Sequence, residues 1–343
     1  MVNSSRKDLI HGSSDLQTLH IISISIGGII GSSVASVVTT ILHPYAIFSI
    51  YIIMGLLYII FAFLIDNIKA PDDIDVSENL KKCWKHLSKP IVFKSLIFMF
   101  VSRAIVPSYG DIMYYWMIDV LNFNKTIISL LALIAFATAI LGSMIYNLFL
   151  KEFEFKNAMI LAHILIAIST LGMFLLVTRI SYEIFHINDI VFAVFGETTI
   201  ETLFVAFVFM PTLVLQTKII PKNVEATLYS FFSSFVLFAG QFISPMLGGA
   251  IATTFGVSRD NFSSMGTIIL IEFLFALIPL TIVWILPSNK QIEEFSENIK
   301  DHPYDQLDLI ERQSFVYRSL SPKHDSNNSF KYFGRKWERF ASC

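Results

Sequence analysis

The sequence predicts an all-α, polytopic membrane protein, and three observations carry that prediction. First, eight apolar stretches with almost no internal charge fill the chain from Leu16 to Leu286. A hydrocarbon core of about 30 Å takes ~20 residues of helix, so stretches of this length read as spans. Second, 54% of residues are hydrophobic and only 15% charged, with a mean hydropathy of +0.64. A soluble domain carries about 25% charged residues, so a water-facing surface cannot be built from this composition. Third, the apolar runs are continuous and lack the period-two alternation of a membrane barrel strand.

Taken in order, the predicted spans are Leu16–Leu42, Tyr45–Ile65, Val92–Leu121, Thr126–Leu150, Ala158–Val177, Ile190–Leu215, Ala226–Thr254 and Met265–Leu286. They are unevenly grouped. Residues 1–66 hold two spans, a charged linker follows over 67–91, six spans occupy 92–286, and a polar tail runs from 287 to 343. The tail has mixed charge and no strong period, so it is expected to be disordered. A six-helix group after a central linker predicts part of a major-facilitator-type bundle, in which two six-helix halves surround a midplane site. On that reading the chain carries the last two helices of the first half and all six of the second.

Orientation follows from the lysines and arginines near the span ends. Twelve of them, from Arg6 to Lys222, fall on one side; Lys125, Arg179 and Arg259 fall on the other. The richer side is expected to be cytosolic, and an even number of spans puts both termini there. The sequons beginning at Asn124 and Asn261 lie on the opposite, outer side.

Several function classes are not expected. The segment MVNSSRKDLIHGSSD lacks the short apolar core and cleavage site of a secretory signal. Two distant cysteines, Cys83 and Cys343, imply no disulfide framework. There is no HExxH helix, GxSxG turn or P-loop, so catalytic residues, a metal and a cofactor are not expected. No basic domain offers itself to nucleic acid. The expected partners are the lipid bilayer, a small-molecule substrate and protons.

The few charges at membrane depth are the candidate functional residues, because burying them in lipid is costly. Arg103 lies about 11 residues into the third span, roughly 16 Å deep at 1.5 Å per residue. It cannot shed its charge, so it must meet an acid, a cavity or an anionic ligand. Pro107 follows one turn later and Asp111 one turn after that; the proline is expected to kink the helix. Glu197 and Glu201 are four residues apart in the sixth span and share a face. Two carboxylates on one face at low dielectric resist ionising together, which makes the pair a candidate for taking up and releasing a proton. Gln241, mid-span in the seventh helix, is a candidate hydrogen-bonding group for substrate. Glu272 lies nearer the outer edge, and His163 is expected to be a satisfied interior histidine.

Packing signals accompany these charges. The first span carries Ser23, Gly27, Gly31 and Ala35 at spacing four, with Gly28, Ser32 and Ser36 on a parallel row. Small side chains on one face let another helix approach. In the seventh span, Gly240, Pro245, Gly248 and Gly249 predict a kinked or broken helix.

Three stretches together resemble the folate–biopterin transporter family of the major facilitator superfamily: SRKD with GSSDLQTL and SIGGIIGS over Ser5–Ser32, PSYGDIMYYW at Pro107–Trp116, and MPTLVLQTKIIPKNVEATLYSFFSS at Met210–Ser234. The resemblance covers nearly all of Ser5–Leu286. It implies a secondary active transporter of folate- or pterin-like organic anions, proton-coupled and working by alternating access. Arg103 would then suit a substrate carboxylate, and Asp111 matches the acid that follows Pro-Ser in the family. Glu225 matches the acid of the VEAT turn, where it is expected to cap the seventh helix and pair with Lys222 as a helix cap or cytosolic gate. The family's first four helices have no counterpart in the chain, and Ile219 and Ile220 stand where a cysteine is expected near the proline. The alternatives are the same fold with another cargo, such as S-adenosylmethionine, and a truncated, non-transporting membrane partner.

Overall fold

The computed structural model describes residues 12–41, 45–64, 76–221 and 224–300. Regular structure among them is helical, apart from one isolated bridge between Ser258 and Asn261. This is what lipid demands, since a helix satisfies its own backbone polar groups. The helices longer than four residues are α1 (Gly12–Ile41), α2 (Tyr45–Leu64), α3 (Val76–Leu87), α4 (Pro90–Ala104), α5 (Gly110–Asp119), α6 (Lys125–Leu150), α7 (Phe155–Val177), α8 (Asp189–Ile219), α9 (residues 225–254), α10 (Met265–Ile285) and α11 (Asn289–Lys300).

Six of these, α1, α6, α7, α8, α9 and α10, contain segments long and apolar enough to cross a membrane. α2 coincides with the predicted span Tyr45–Ile65: it is an uncharged 20-residue helix, and every residue from 51 to 64 is exposed. The predicted span Val92–Leu121 is interrupted at Ile105–Tyr109 and forms α4 and α5 instead.

The interruption has a local cause. Pro107 cannot donate a backbone hydrogen bond, and the residue before a proline is pushed out of the helical region. The groups released are taken up by α9. The Ser108 N–H donates to the Ser244 carbonyl (3.2 Å), and the Ser244 hydroxyl donates to the Val106 carbonyl (2.6 Å). α9 itself does not break at Pro245. It passes through a π-helical turn at Ala239–Ile243 and continues from Ser244 to Thr254. The wider turn absorbs the proline, whose ring would otherwise press on the carbonyl one turn back.

α1 packs on α6 and α8. The small-residue row that meets a neighbour there is not that of Gly27 and Gly31, which have open space where a Cβ would be. It is Gly28, where a Cβ would press into the Phe136 ring. Rotation of α1 about its axis decides which row is used, and spacing alone does not set that rotation.

The described part of the tail also departs from expectation. α11 is a helix with Ile292 buried and Phe295 packed alongside the core. Asn289 fastens it: its side-chain oxygen accepts from the Phe155 N–H at 2.9 Å, supplying a partner for an otherwise orphaned donor at the start of α7. Asn124, in the first sequon, likewise caps α6 by accepting from the Ile127 N–H. The expectations for the first eleven residues, the linker before Val76, Lys222 and the tail beyond Lys300 lie outside the described residues.

Two apolar clusters form the core. One includes Phe98, Met99, Met159, Leu215, Ile219 and Phe232; the other includes Tyr109, Met113, Trp116, Leu176, Val194 and Ile268. On α8 and α10, and between α4 and α5, the polar residues described next fall in sequence between members of the two clusters.

Candidate functional site

The larger cavity of interest has a volume of about 580 Å³ and lies among α1, α4, α7, α8, α9 and α10. That volume is in the range of small-molecule sites, about 300–1,000 Å³. Its polar lining includes Arg103, His163, Glu201, Gln216, Gln241 and Glu272. A second, smaller cavity of about 360 Å³ is lined by Tyr109, Glu197, Thr198, Glu201, Thr202 and Glu272 among others. Ser108, Glu201 and Glu272 line both cavities.

Arg103 sits in the last turn of α4, immediately before the helix gives way. Its guanidinium lies 5.9 Å from the Phe209 ring centre. Among the described residues no carboxylate oxygen lies within 4.0 Å of it. No acid among the described residues therefore braces Arg103, and the residue lines the cavity.

The acidic side of the site is larger than the sequence indicates. Glu197 lies in a π-helical turn, Phe192–Thr198, at the start of α8. The Thr198 hydroxyl donates to its carboxylate at 2.8 Å, and the Glu201 carboxyl is within hydrogen-bonding reach. Glu272, from α10, brings a third carboxyl group to the cavity that this pair lines. Among the described residues, one buried oxygen of Glu272, Oε2, has no hydrogen-bond partner, and neither does the buried Tyr109 hydroxyl. Both residues line the smaller cavity.

The remaining expected residues separate. Gln241 lies in the π-helical turn of α9 and lines the larger cavity with Gly240. Asp111 stands exposed in the first turn of α5 and lines neither cavity. Glu225 begins α9, with its side chain outside the described residues. Pro245 follows the π-helical turn and lines neither cavity.

Residues to which sequence reasoning gives no binding role also line the site. His163 is buried on α7 with Nδ1 bonded to the Met159 carbonyl at 2.8 Å, the interior role expected of it, yet it also faces the larger cavity. Gln216 is buried; its amide nitrogen lies 3.8 Å from the Met99 sulfur, and its oxygen accepts from Ser233 at 3.5 Å. Glu272 is visible in the sequence as an intramembrane acid, but its place near a span end gives no sign that it joins the other two. Nothing local marks Tyr109.

Comparison with known proteins places this geometry in a lineage. The chain is 24% identical over 342 residues, 98% of its length, to "Folate-biopterin transporter" of Synechocystis sp.. It is 23% identical over 319 residues, 89% of its length, to "Probable folate-biopterin transporter 5" of Arabidopsis thaliana. It is 25% identical over 237 residues, 68% of its length, to "Folate transporter 1" of Plasmodium falciparum. It spans 68%, 64% and 46% of those proteins' own lengths, respectively. No solved structure matches it. A family model described as "BT1 family" matches residues 1–305, and the chain belongs to that family.

Proposed function

We propose that this protein is a secondary transporter of folate- or pterin-like organic anions, coupled to protons and working by alternating access. Family membership and the names of its relatives support a transporter rather than an enzyme. The observation that carries the cargo reading is Arg103: a permanent cation with no carboxylate within reach among the described residues, facing a cavity that also holds Glu201 and Glu272. Such a cavity has two poles. Arg103 offers a planar fork that matches a carboxylate. Glu201 and Glu272 offer acceptors to the ring N–H groups of a pterin, and Phe209 offers an aromatic face.

Coupling is assigned to Glu197 and Glu201. Carboxyl groups in hydrogen-bonding reach of each other can hold one proton between them, and release of that proton changes the charge facing the substrate. Glu201 and Glu272 border both cavities, which supports their exposure to one side and then the other. Lys222 and Glu225 remain assigned to the turn before α9 as cap or gate; Asp111, expected to bind substrate, is exposed and lines neither cavity, so the substrate contact is assigned to Arg103 and Gln241.

The test is uptake by the full-length protein in proteoliposomes under an imposed inward proton gradient. Folate, which carries carboxylates, should accumulate faster than in vesicles carrying an Arg103→Ala variant. Competition by unlabelled folate, biopterin, S-adenosylmethionine and a sugar identifies the cargo. Uptake equal to that of protein-free vesicles for every member of the panel would overturn the transport reading.

A further inference from the structure

Outside the transport cavity, α3 combines a fixed face with an open one. Cys83 and His86 are buried, and Leu87 packs with the same inner cluster. His86 is bonded through Nε2 to the Ile219 carbonyl at the end of α8 (2.8 Å), and its ring lies 5.8 Å from Phe295 of α11. These contacts hold α3 in one rotational setting. One flank then presents Leu80 and Trp84, one turn apart and 59% and 74% exposed. Next round the helix come Lys81 and Lys85, both exposed.

That arrangement suits neither water nor a protein core. An indole three-quarters exposed loses hydrophobic stabilisation in water, whereas at a membrane surface its ring lies among headgroups. Lysines beside an apolar flank are the pattern of a helix lying in the interface of an anionic leaflet. The exposed ammonium groups of Lys81 and Lys85 complement a phosphate. The chain enters α4 three residues after α3 ends, and Phe93 in the first turn of α4 is again exposed, at 54%. The apolar exposure thus continues onto the next helix.

We propose that α3 is an interfacial helix that recognises anionic phospholipid, with Leu80 reaching the upper acyl chains, Trp84 at the boundary between headgroups and acyl chains, and Lys81 and Lys85 on the headgroup phosphate. The bond from His86 to Ile219 joins this helix to α8, the helix that carries Glu197 and Glu201, so lipid composition has a direct mechanical route to the transport helix.

The test uses the full chain in vesicles of phosphatidylcholine, with or without phosphatidylglycerol. Subtracting the fluorescence of Trp84→Phe from that of the wild type isolates Trp84 from the other tryptophans. Brominated phospholipids should quench this component, with brominated phosphatidylglycerol preferred over brominated phosphatidylcholine. Replacing Lys81 and Lys85 together by glutamine should reduce that preference by roughly tenfold or more at low ionic strength. Equal quenching by the two brominated lipids would overturn the recognition of anionic lipid. Quenching by aqueous acrylamide alone would show Trp84 in water, and quenching by neither would show it covered by protein; each overturns the membrane contact.

Discussion

Gly248 of α9 lies directly against the backbone of Ser108, so that a Cβ added at Gly248 would overlap the Ser108 carbonyl oxygen. This close approach explains how an interrupted helix survives at membrane depth. The break after α4 leaves backbone groups without helical partners. α9 must come close enough for Ser244 to satisfy them, and only glycine at 248 permits that approach.

Gly248→Ala should therefore destabilise the protein by about 1–3 kcal/mol, the usual range for an overpacked site, and toward its upper end because the obstacle is backbone. Ser244→Ala should cost less, about 1 kcal/mol, for removal of one hydrogen bond to Val106. Thermal unfolding of the detergent-solubilised variants measures both. Equal stability of Gly248→Ala and the wild type would mean that α9 does not sit this close to the break.

Arg103→Ala should reduce uptake of a carboxylate-bearing cargo by about 100-fold, corresponding to roughly 3 kcal/mol for deleting a charge-assisted hydrogen-bond donor at a desolvated site. Arg103→Lys should recover only part of this, since an ammonium keeps the charge but not the two-pronged geometry. Initial uptake rates and substrate affinities of the two variants decide the matter; full activity in Arg103→Ala would assign the arginine to structure.

Glu197→Gln and Glu201→Gln should separate coupling from binding. If this pair exchanges the coupling proton as proposed, an imposed proton gradient should no longer accelerate uptake in the double variant, while exchange of labelled for unlabelled substrate at symmetrical pH persists. Gradient-driven uptake that survives in the double variant would move the coupling site elsewhere, Glu272 being the next candidate.

His86 makes the junction of α3, α8 and α11 sensitive to pH. Burial holds its pKa below the ordinary value; the bond to the Ile219 carbonyl opposes this, and the nearby Lys89 charge adds to the lowering. A histidine depressed on folding contributes stability that is fully present above its unfolded pKa, about 6.5, and is lost as pH falls through the folded value. The melting temperature should therefore decline on acidification below about pH 6.5, and more steeply in the wild type than in His86→Gln. Parallel pH profiles for the two proteins would show that His86 does not set this dependence.

Much of this protein is legible without a structure. The membrane-spanning class, the place of Arg103 inside an apolar segment, the shared face of Glu197 and Glu201, and a distortion near Pro245 all follow from local composition and spacing. Other features depend on partners far away in the chain. Pro107 announces a disturbance, but a full break at Ile105–Tyr109 requires Ser244 to satisfy the freed groups. The row of small residues in α1 is visible, yet Gly28 rather than Gly27 or Gly31 meets a neighbour because Phe136 lies on that side. The helix at the head of the tail forms where a disordered segment is expected, because Ile292, Phe295 and Asn289 find partners in the bundle.

Hydropathy and periodicity are sums over neighbours in the chain, so they determine which segments enter lipid and which charges travel with them. They say nothing of which helix stands opposite which, or how each is turned about its axis. The tertiary structure made those choices. It set Glu272 beside the Glu197–Glu201 pair, left Asp111 outside the cavity, and kept every described carboxylate beyond ion-pairing distance of Arg103. The physical reason is that the strength of a buried charge depends on distance to groups brought together only by helix packing.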